Sequence, residues 1–367
     1  MKEGWVYKKL GEICKLYQPK TIPQKDCLSD GKYPVYGSNG IIGYYNEYNH
    51  ADKEILIACR GTCGIVNVSQ PYSWINGNAM VVHLLSDILE FDFLKYQLIG
   101  KDMKDVITGA AIPQITRQSL STILIGIPPR SLQSCIVSEL DLLSSIIEKK
   151  KEQLKAYDQL AQSFFYDMFG DPIENEKGWV VKKFKDIGKI VTGNTPSKAN
   201  PLYYNSSFIE WVKTDNIENN LLYATKAKEY LSEEGAKCGR IVDKGSLLVA
   251  CIAGSLESIG KSCITDRRVA FNQQINAVVP DKSTCVLFLY HLIMSMKDTI
   301  KDYASTGMKH ILTKSVMENI TIPTPPLSLQ QQFAEKIEMI ERQKALLQQS
   351  ITEAETLFNS RMDYYFN

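Results

Sequence analysis

The stretch ITRQSLSTILIGIPPRSLQ, residues 115–133, is answered without a gap by LTKSVMENITIPTPPLSLQ, residues 312–330. The offset is 197 residues, and eight of the 19 positions are identical; ordinary residue frequencies would give about one. The same offset carries Leu160 to Leu357, Ser163 to Ser360 and Phe169 to Phe366. Upstream it varies, from 174 to 198: GWVYKKLGEI from Gly4 answers GWVVKKFKDI from Gly178, LIAC from Leu56 answers LVAC from Leu248, and Thr108-Gly109 answers Thr306-Gly307. A chain of 367 residues is long for a single core, and a repeat of this period is a duplicated domain rather than a solenoid. The pattern divides the chain into a body at residues 1–130, a long segment at 131–170, a second body at 171–326 and a second long segment at 327–367.

Each body reads as mixed α/β within an α+β chain. Short apolar runs at residues 55–58, 123–125, 247–251 and 320–322 suit strands, and residues 91–106 and 286–303 suit helices. Pro128-Pro129 and Pro325-Pro326 stop the strands before them, since proline gives no donor to a ladder. A helix then starts, with Ser131 and Ser328 placed as N-caps and Gln331 completing a capping box in the second copy.

The apolar positions that follow step by four and three. The first copy runs Ile136, Leu140, Leu143, Ile147, Lys150, Leu154, Tyr157, Ala161, Phe164, Met168. The second runs Phe333, Ile337, Ile340, Lys344, Leu347, Ile351, Ala354, Phe358, Arg361, Tyr365. This 3.5-residue repeat is a coiled-coil seam, and each helix would be about 55–60 Å long. The stripes can bury each other, or each can pack on its own body; the pattern does not say whether a pair would be parallel or antiparallel.

Composition narrows the function classes. Hydrophobic residues are 44% and charged residues 23% without low-complexity tracts, the profile of a folded chain. No apolar leader opens the sequence, and the longest apolar run, residues 286–294, is too short to cross a bilayer, so a cytoplasmic location is expected. Nine cysteines without a Cys-x-x-Cys pair read as reduced, mostly buried thiols, with no metal site. The net charge of +1 divides unevenly: Lys+Arg against Asp+Glu is 14 to 12 in residues 1–130, 5 to 9 in 131–177, 19 to 14 in 178–326 and 4 to 6 in 327–367. Two mildly basic bodies therefore alternate with two acidic segments, which is weak support for a polyanionic partner.

No catalytic constellation is present. The strings Asp171-Pro172-Ile173 and Asn200-Pro201-Leu202-Tyr203 lack the second proline of an amino-methylase motif, and no Gly-x-Gly-x-x-Gly or phosphate-loop pattern occurs. The histidines, His50, His83, His291 and His310, are scattered.

On the repeated Pro-Pro-x-Ser-Leu-Gln, the Gly-Trp opening of each body and the segments KYPVYGSNGIIGYY, ILIACRGTCG, GNTPSKANPLYY and FIEWVKTDNI, the chain resembles the specificity subunits of type I restriction-modification systems over its whole length. The resemblance implies two target-recognition domains, each reading one half of a split duplex-DNA site. It also implies that the helices pair as an antiparallel coiled coil, fix the gap and dock two methylase subunits, with restriction subunits joining the complex. S-adenosylmethionine and ATP with magnesium would be used by those partners, and this chain would bind no cofactor. A non-enzymatic coiled-coil adaptor with two ligand-binding lobes is the competing reading.

DNA contact calls for polar side chains on loops. The candidates are Tyr36, Ser38, Asn39, Arg60, Thr62 and Arg117 in the first body. In the second they are Thr195, Ser197, Lys213, Thr214, Ser255, Lys261, Lys309 and Lys314. Gly37 and Gly193 are expected to set tight turns, Trp211 to be core, and Lys198, Arg267 or Arg268 to be plain surface.

Overall fold

The structure, a computed structural model, describes residues 2–109, 113–218, 221–305 and 310–367. Met1–Lys151 with Gln349–Asn367 forms one compact unit, and Glu152–Gln348 forms the other.

In the first unit a four-stranded antiparallel sheet has the order Cys14–Tyr17, Ala79–Leu84, Ile55–Ala58, Val66–Val68. Its inner strand ILIA is buried on both faces, which is why it reads as an unbroken apolar run rather than an alternation. Ile55 and Ile57 face Phe93, Leu94 and Leu98 of the helix Phe91–Ile99. Leu56 faces Tyr36, Ile75, Ala79 and Val81 on the other side. A second sheet joins Gly40–Tyr45, Tyr33–Gly37 and Trp74–Ile75, the last two parallel, and Val6–Lys9 pairs with Leu124–Ile127.

The second unit repeats this plan. Gly188–Thr192, Ile275–Pro280, Leu247–Ala250 and Ser262–Ile264 form an antiparallel sheet in the corresponding order. Ile209–Val212 lies parallel to Val269–Phe271 in the other sheet, and Val181–Lys183 pairs with Thr321–Pro323. The helix-like stretches are each broken, into Phe91–Ile99 and the 3-10 turn Lys104–Val106, and into Val286–Ser295 and Lys297–Asp302.

The long helices are Arg130–Phe169 and Leu327–Phe366. They begin before the serines, so Ser131 and Ser328 are exposed residues of the first turn and not caps. The joint is held instead by the glutamine of the repeated motif. Gln133 is fully buried; its Oε1 accepts from the Glu90 amide at 2.8 Å and its Nε2 donates to the Ile88 and Pro128 carbonyls at 2.8 and 2.9 Å. Gln330 does the same with the Cys285 amide and the Pro325 carbonyl, both at 2.8 Å. Glu90 and Cys285 are the N-cap residues of the body helices, so one side chain ties two helix starts together.

Within each unit the helix segments pack antiparallel. In the first, Glu139 meets Arg361 at 2.9 Å while Lys150 meets Ser350 at 2.7 Å. In the second, Asp158 meets Lys344 at 2.8 Å while Phe165 and Phe169 pack on Phe333. Ile136, Leu140, Phe333, Ile337, Ile340, Leu347 and Ile351 are buried, whereas Leu143, Ile147, Leu154, Tyr157 and Phe358 are half-buried. Both expected fates of the stripe occur together: Ile136 and Leu140 join the first body's core, and Phe333, Ile337 and Ile340 join the second's. Phe164 is displaced from the centre of the seam; it is half-buried, and its neighbour Phe165 is the fully buried ring. A helix serving both a partner helix and a body needs a stripe wider than a coiled-coil seam.

The cysteines are free, but only four are buried: Cys14, Cys59, Cys251 and Cys263. Burial pushes the Cys14 thiol up to about 12. Cys135 and Cys238 are exposed, which corrects the expectation of mostly buried thiols.

Arg267, expected on plain surface, is a clamp. Its guanidinium grips Glu210 at 2.8 and 2.6 Å and donates to the Ala224 and Thr225 carbonyls at 3.0 and 2.9 Å. These hydrogen bonds hold the Glu210 carboxyl below the usual glutamate range, against the opposing effect of burial. A depressed carboxylate contributes stability above its ordinary pKa and loses it as the pH falls through the lowered value. Glu210→Gln is therefore expected to be less stable than the parent at pH 7, with the difference shrinking on acidification, read by urea unfolding at a series of pH values.

Candidate nucleic-acid interface

In the first unit the turn at residues 76–78 gathers loops that are far apart in sequence. The Asn76 amide donates to the Tyr36 carbonyl at 3.0 Å, and the Asn78 carbonyl accepts from the Cys59 amide at 3.1 Å and the Ser38 hydroxyl at 3.0 Å. Asn76 Oδ1 accepts from the Ile22 amide at 3.0 Å, while Gly77 takes a bond from Gln18 and gives one to Thr21.

In the second unit the turn at residues 272–274 has the same role. The Asn272 amide donates to the Val212 carbonyl at 3.0 Å, the Cys251 amide to Gln274 at 2.8 Å, and the Asn194 amide to the Phe271 carbonyl at 3.1 Å. Gly193 is required there by close approach and not by a turn conformation: a Cβ would lie 2.1 Å from the Asn272 carbonyl oxygen.

These hubs bring several sequence candidates together. Asn39 and Thr62, chosen from separate loops, hydrogen-bond each other, and both are exposed. Arg60 is exposed and bridges through its backbone to Gln114, which is also exposed. Ser38 is half-buried, its hydroxyl spent on Asn78. In the second unit Thr195 bonds Gln273, and both are exposed, as is Ser197. Ser255 is exposed and shares a 3.0 Å bond with Ser258. Thr214 is half-buried at the start of a 3-10 turn beside the hub.

The burial of Tyr36 corrects one candidate, and the others are placed differently. Tyr36 is only 5% exposed, packs among Leu56, Ile75 and Val81, and accepts from the Gln70 amide, so its ring is core. Lys213 is ion-paired with Glu229 and lies 4.8 Å over the Trp211 ring, which neutralises it; Trp211 itself is core. Lys314 pairs with Glu318 at 3.5 Å one helical turn away. Arg117 opens a short helix and lines a separate depression with Gly11, Lys15 and Gln118. Lys261 is half-buried with the Lys297 ammonium nearby. Lys309 lies outside the described residues.

Three exposed residues were missed: Gln114, Gln273 and Arg240, whose amide donates to Asn194 Oδ1 at 2.7 Å. The signal for the hubs was Ile75-Asn76-Gly77-Asn78 against Phe271-Asn272-Gln273-Gln274, an apolar residue followed by asparagine at nearly the long offset. Asn78 Oδ1 is buried without a partner among the described residues, a polar atom left at the hub. No cluster of metal-ligating side chains occurs among the described residues, nor any helix long and apolar enough to cross a membrane.

Known proteins place this arrangement. The chain is 31% identical to the type I restriction enzyme HindI specificity subunit of Haemophilus influenzae, over 44% of this chain and 35% of that protein. It is 23% identical to the type I restriction enzyme EcoR124I/EcoR124II specificity subunit of Escherichia coli, over 97% of this chain and 91% of that protein. The crystal structure of the type I restriction-modification system S subunit from M. genitalium superposes with a TM-score of 0.61 at 13% identity, over 98% of this chain and 95% of that one. The profile of the type I restriction modification DNA specificity domain matches residues 2–156 and again residues 176–356. With a domain match in each half and the same sheet order in each unit, the chain belongs to the type I restriction modification DNA specificity family.

Proposed function

We propose that the two hubs are two readers of duplex DNA, each recognising one half of a split target, and that the long helices set the gap between the halves. The observation that carries this is the duplication of the hub itself. Each unit gathers exposed amide and hydroxyl side chains, Asn39 and Thr62 in one and Thr195 and Gln273 in the other, on a scaffold of backbone hydrogen bonds. Such groups read base edges, and the basic residues nearby hold phosphates. The chain contributes no catalytic group in this reading. Methylation with S-adenosylmethionine, and ATP-dependent cleavage with magnesium, belong to methylase and restriction subunits assembled on it in the cytoplasm.

The helices also offer each methylase the same foothold. Leu142 and Leu160 are exposed, and the offset of 197 carries them to Met339 and Leu357, exposed as well. Apolar side chains repeated in this way on outward faces support two equivalent docking sites.

The test is to co-express the chain with a type I methylase and map methylated adenines across a genome. A split motif with a fixed gap is expected, and exchanging residues 1–127 for those of a relative should change one half only. Methylation independent of this chain would sink the reading. Asn39→Ala should relax one half-site and Gln273→Ala the other, each by about 1–3 kcal/mol of discrimination, measured as methylation of sites with one altered base. Tyr36→Phe should leave the motif unchanged.

A further inference from the structure

A chain that carries one helix twice has two ways to pair: first helix with second, as here, or each with its own copy in another molecule. The apolar seam does not choose, because its positions repeat at the offset of 197. The polar positions differ. In the first unit Glu139 receives the Arg361 guanidinium at 2.9 Å and the Tyr365 hydroxyl. The offset carries Glu139 to Lys336 and Phe164 to Arg361. The matching place in the second unit accordingly holds a different contact, the Lys336 ammonium 4.9 Å from the centre of the Phe164 ring. A further pair behaves likewise: Asp158 meets Lys344 at 2.8 Å in the second unit. Their counterparts are Glu355 and Ile147, and Glu355 turns to Lys151 at 2.6 Å in the first.

We propose that these positions make the pairing selective for unlike helices, so that the partner fitted by the first helix is a half carrying the cation of Arg361 and the hydroxyl of Tyr365. In an antiparallel pair of two first helices, Glu139 of each copy would face Phe164 of the other, leaving a partly desolvated carboxylate without its cation; Asp158 would lose Lys344 to Ile147 and keep only the cation of Lys151, as Glu355 does here. In a pair of two second helices, Lys336 would face Arg361 twice. The Glu355–Lys344 match would survive there, so the like charges at 336 and 361 decide against that pair. Selection by mismatch in the wrong assembly, more than by strength in the right one, is how charged flanks specify helix partners. The inference does not depend on what the hubs bind.

The experiment uses the whole chain with a protease site inserted between Ile173 and Glu174, in an exposed stretch. The folded protein is cleaved. Two differently tagged preparations are then mixed, unfolded in urea, refolded together and resolved by native mass spectrometry. Indifferent helices would give like and unlike pairs in random proportion. Like pairs at least about tenfold below unlike ones are expected, the preference that about 1.4 kcal/mol produces. Arg361→Glu should raise pairs of C-terminal halves at least about tenfold, since Lys336 then faces a carboxylate twice, and adding Glu139→Lys should restore unlike pairs. Random proportions in the parent, or no rise with Arg361→Glu, would overturn the proposal. In the uncleaved chain Arg361→Glu should lower stability to urea and the double variant should regain it; no recovery would also count against it.

Discussion

Phe165→Ala is expected to destabilise the second unit by about 3–5 kcal/mol, the usual cost of emptying a fully buried phenylalanine site. The ring has no exposed surface and lies 5.3 Å from Phe169, 5.8 Å from Phe333 and 6.0 Å from Phe288, centroid to centroid. It thus joins both long helices to the body helix Val286–Ser295, and a cavity there is walled by rigid rings that cannot collapse inward. Phe164→Ala should cost much less, about 1–2 kcal/mol, because that ring is half-buried and its polar neighbour Lys336 can return to water. Hydrogen exchange resolved by peptide separates the two units and reads the loss over residues 152–348. A larger effect at Phe164 than at Phe165 would mean that the helix turns its coiled-coil seam, and not its wider face, to the core.

The second large effect is expected at the joint. Gln330→Ala removes a buried side chain that serves the Cys285 amide and the Pro325 carbonyl. Each would be left without a partner, at about 1–3 kcal/mol apiece, so a loss of about 2–6 kcal/mol is expected. Gln133→Ala should cost the first unit at least as much, since Gln133 serves three backbone groups. Glutamate at either position should not rescue, because a carboxylate cannot donate to the proline carbonyl. Urea unfolding checks the magnitude. Ser131→Ala and Ser328→Ala serve as controls expected to stay within about 0.5 kcal/mol, as exposed helix positions do. A loss at the serines comparable to that at the glutamines would restore the capping reading.

Much of this protein was legible before any coordinates. The duplication was visible in Pro-Pro-x-Ser-Leu-Gln, and the structure repeats the sheet order in both units. The four-and-three spacing found two helices that run for 40 residues each. The loops bearing Asn39, Thr62, Thr195 and Ser255 are exposed polar segments, as their composition suggests. Errors arose where a residue's neighbours lie far away in sequence. Tyr36 looked like a loop reader because YGSNG is turn-like, yet it lies within the strand Tyr33–Gly37 and packs on Ile75 and Val81. Lys213 looked like a phosphate ligand because nothing nearby in sequence announces Glu229.

The sequence by itself determined that the chain is two copies of one body-and-helix plan and that a long amphipathic helix follows each pair of prolines. Those are properties of period and local chemistry, carried within a few turns of backbone. Only the tertiary structure decided that the motif's glutamine, not its serine, holds the joint, and that three segments of each body meet on a single turn. Those bonds join residues as far apart as Ile22 and Asn76 or Cys285 and Gln330, 54 and 45 positions. A hydrogen bond at such separation depends on how sheets and helices stack, which no local pattern records.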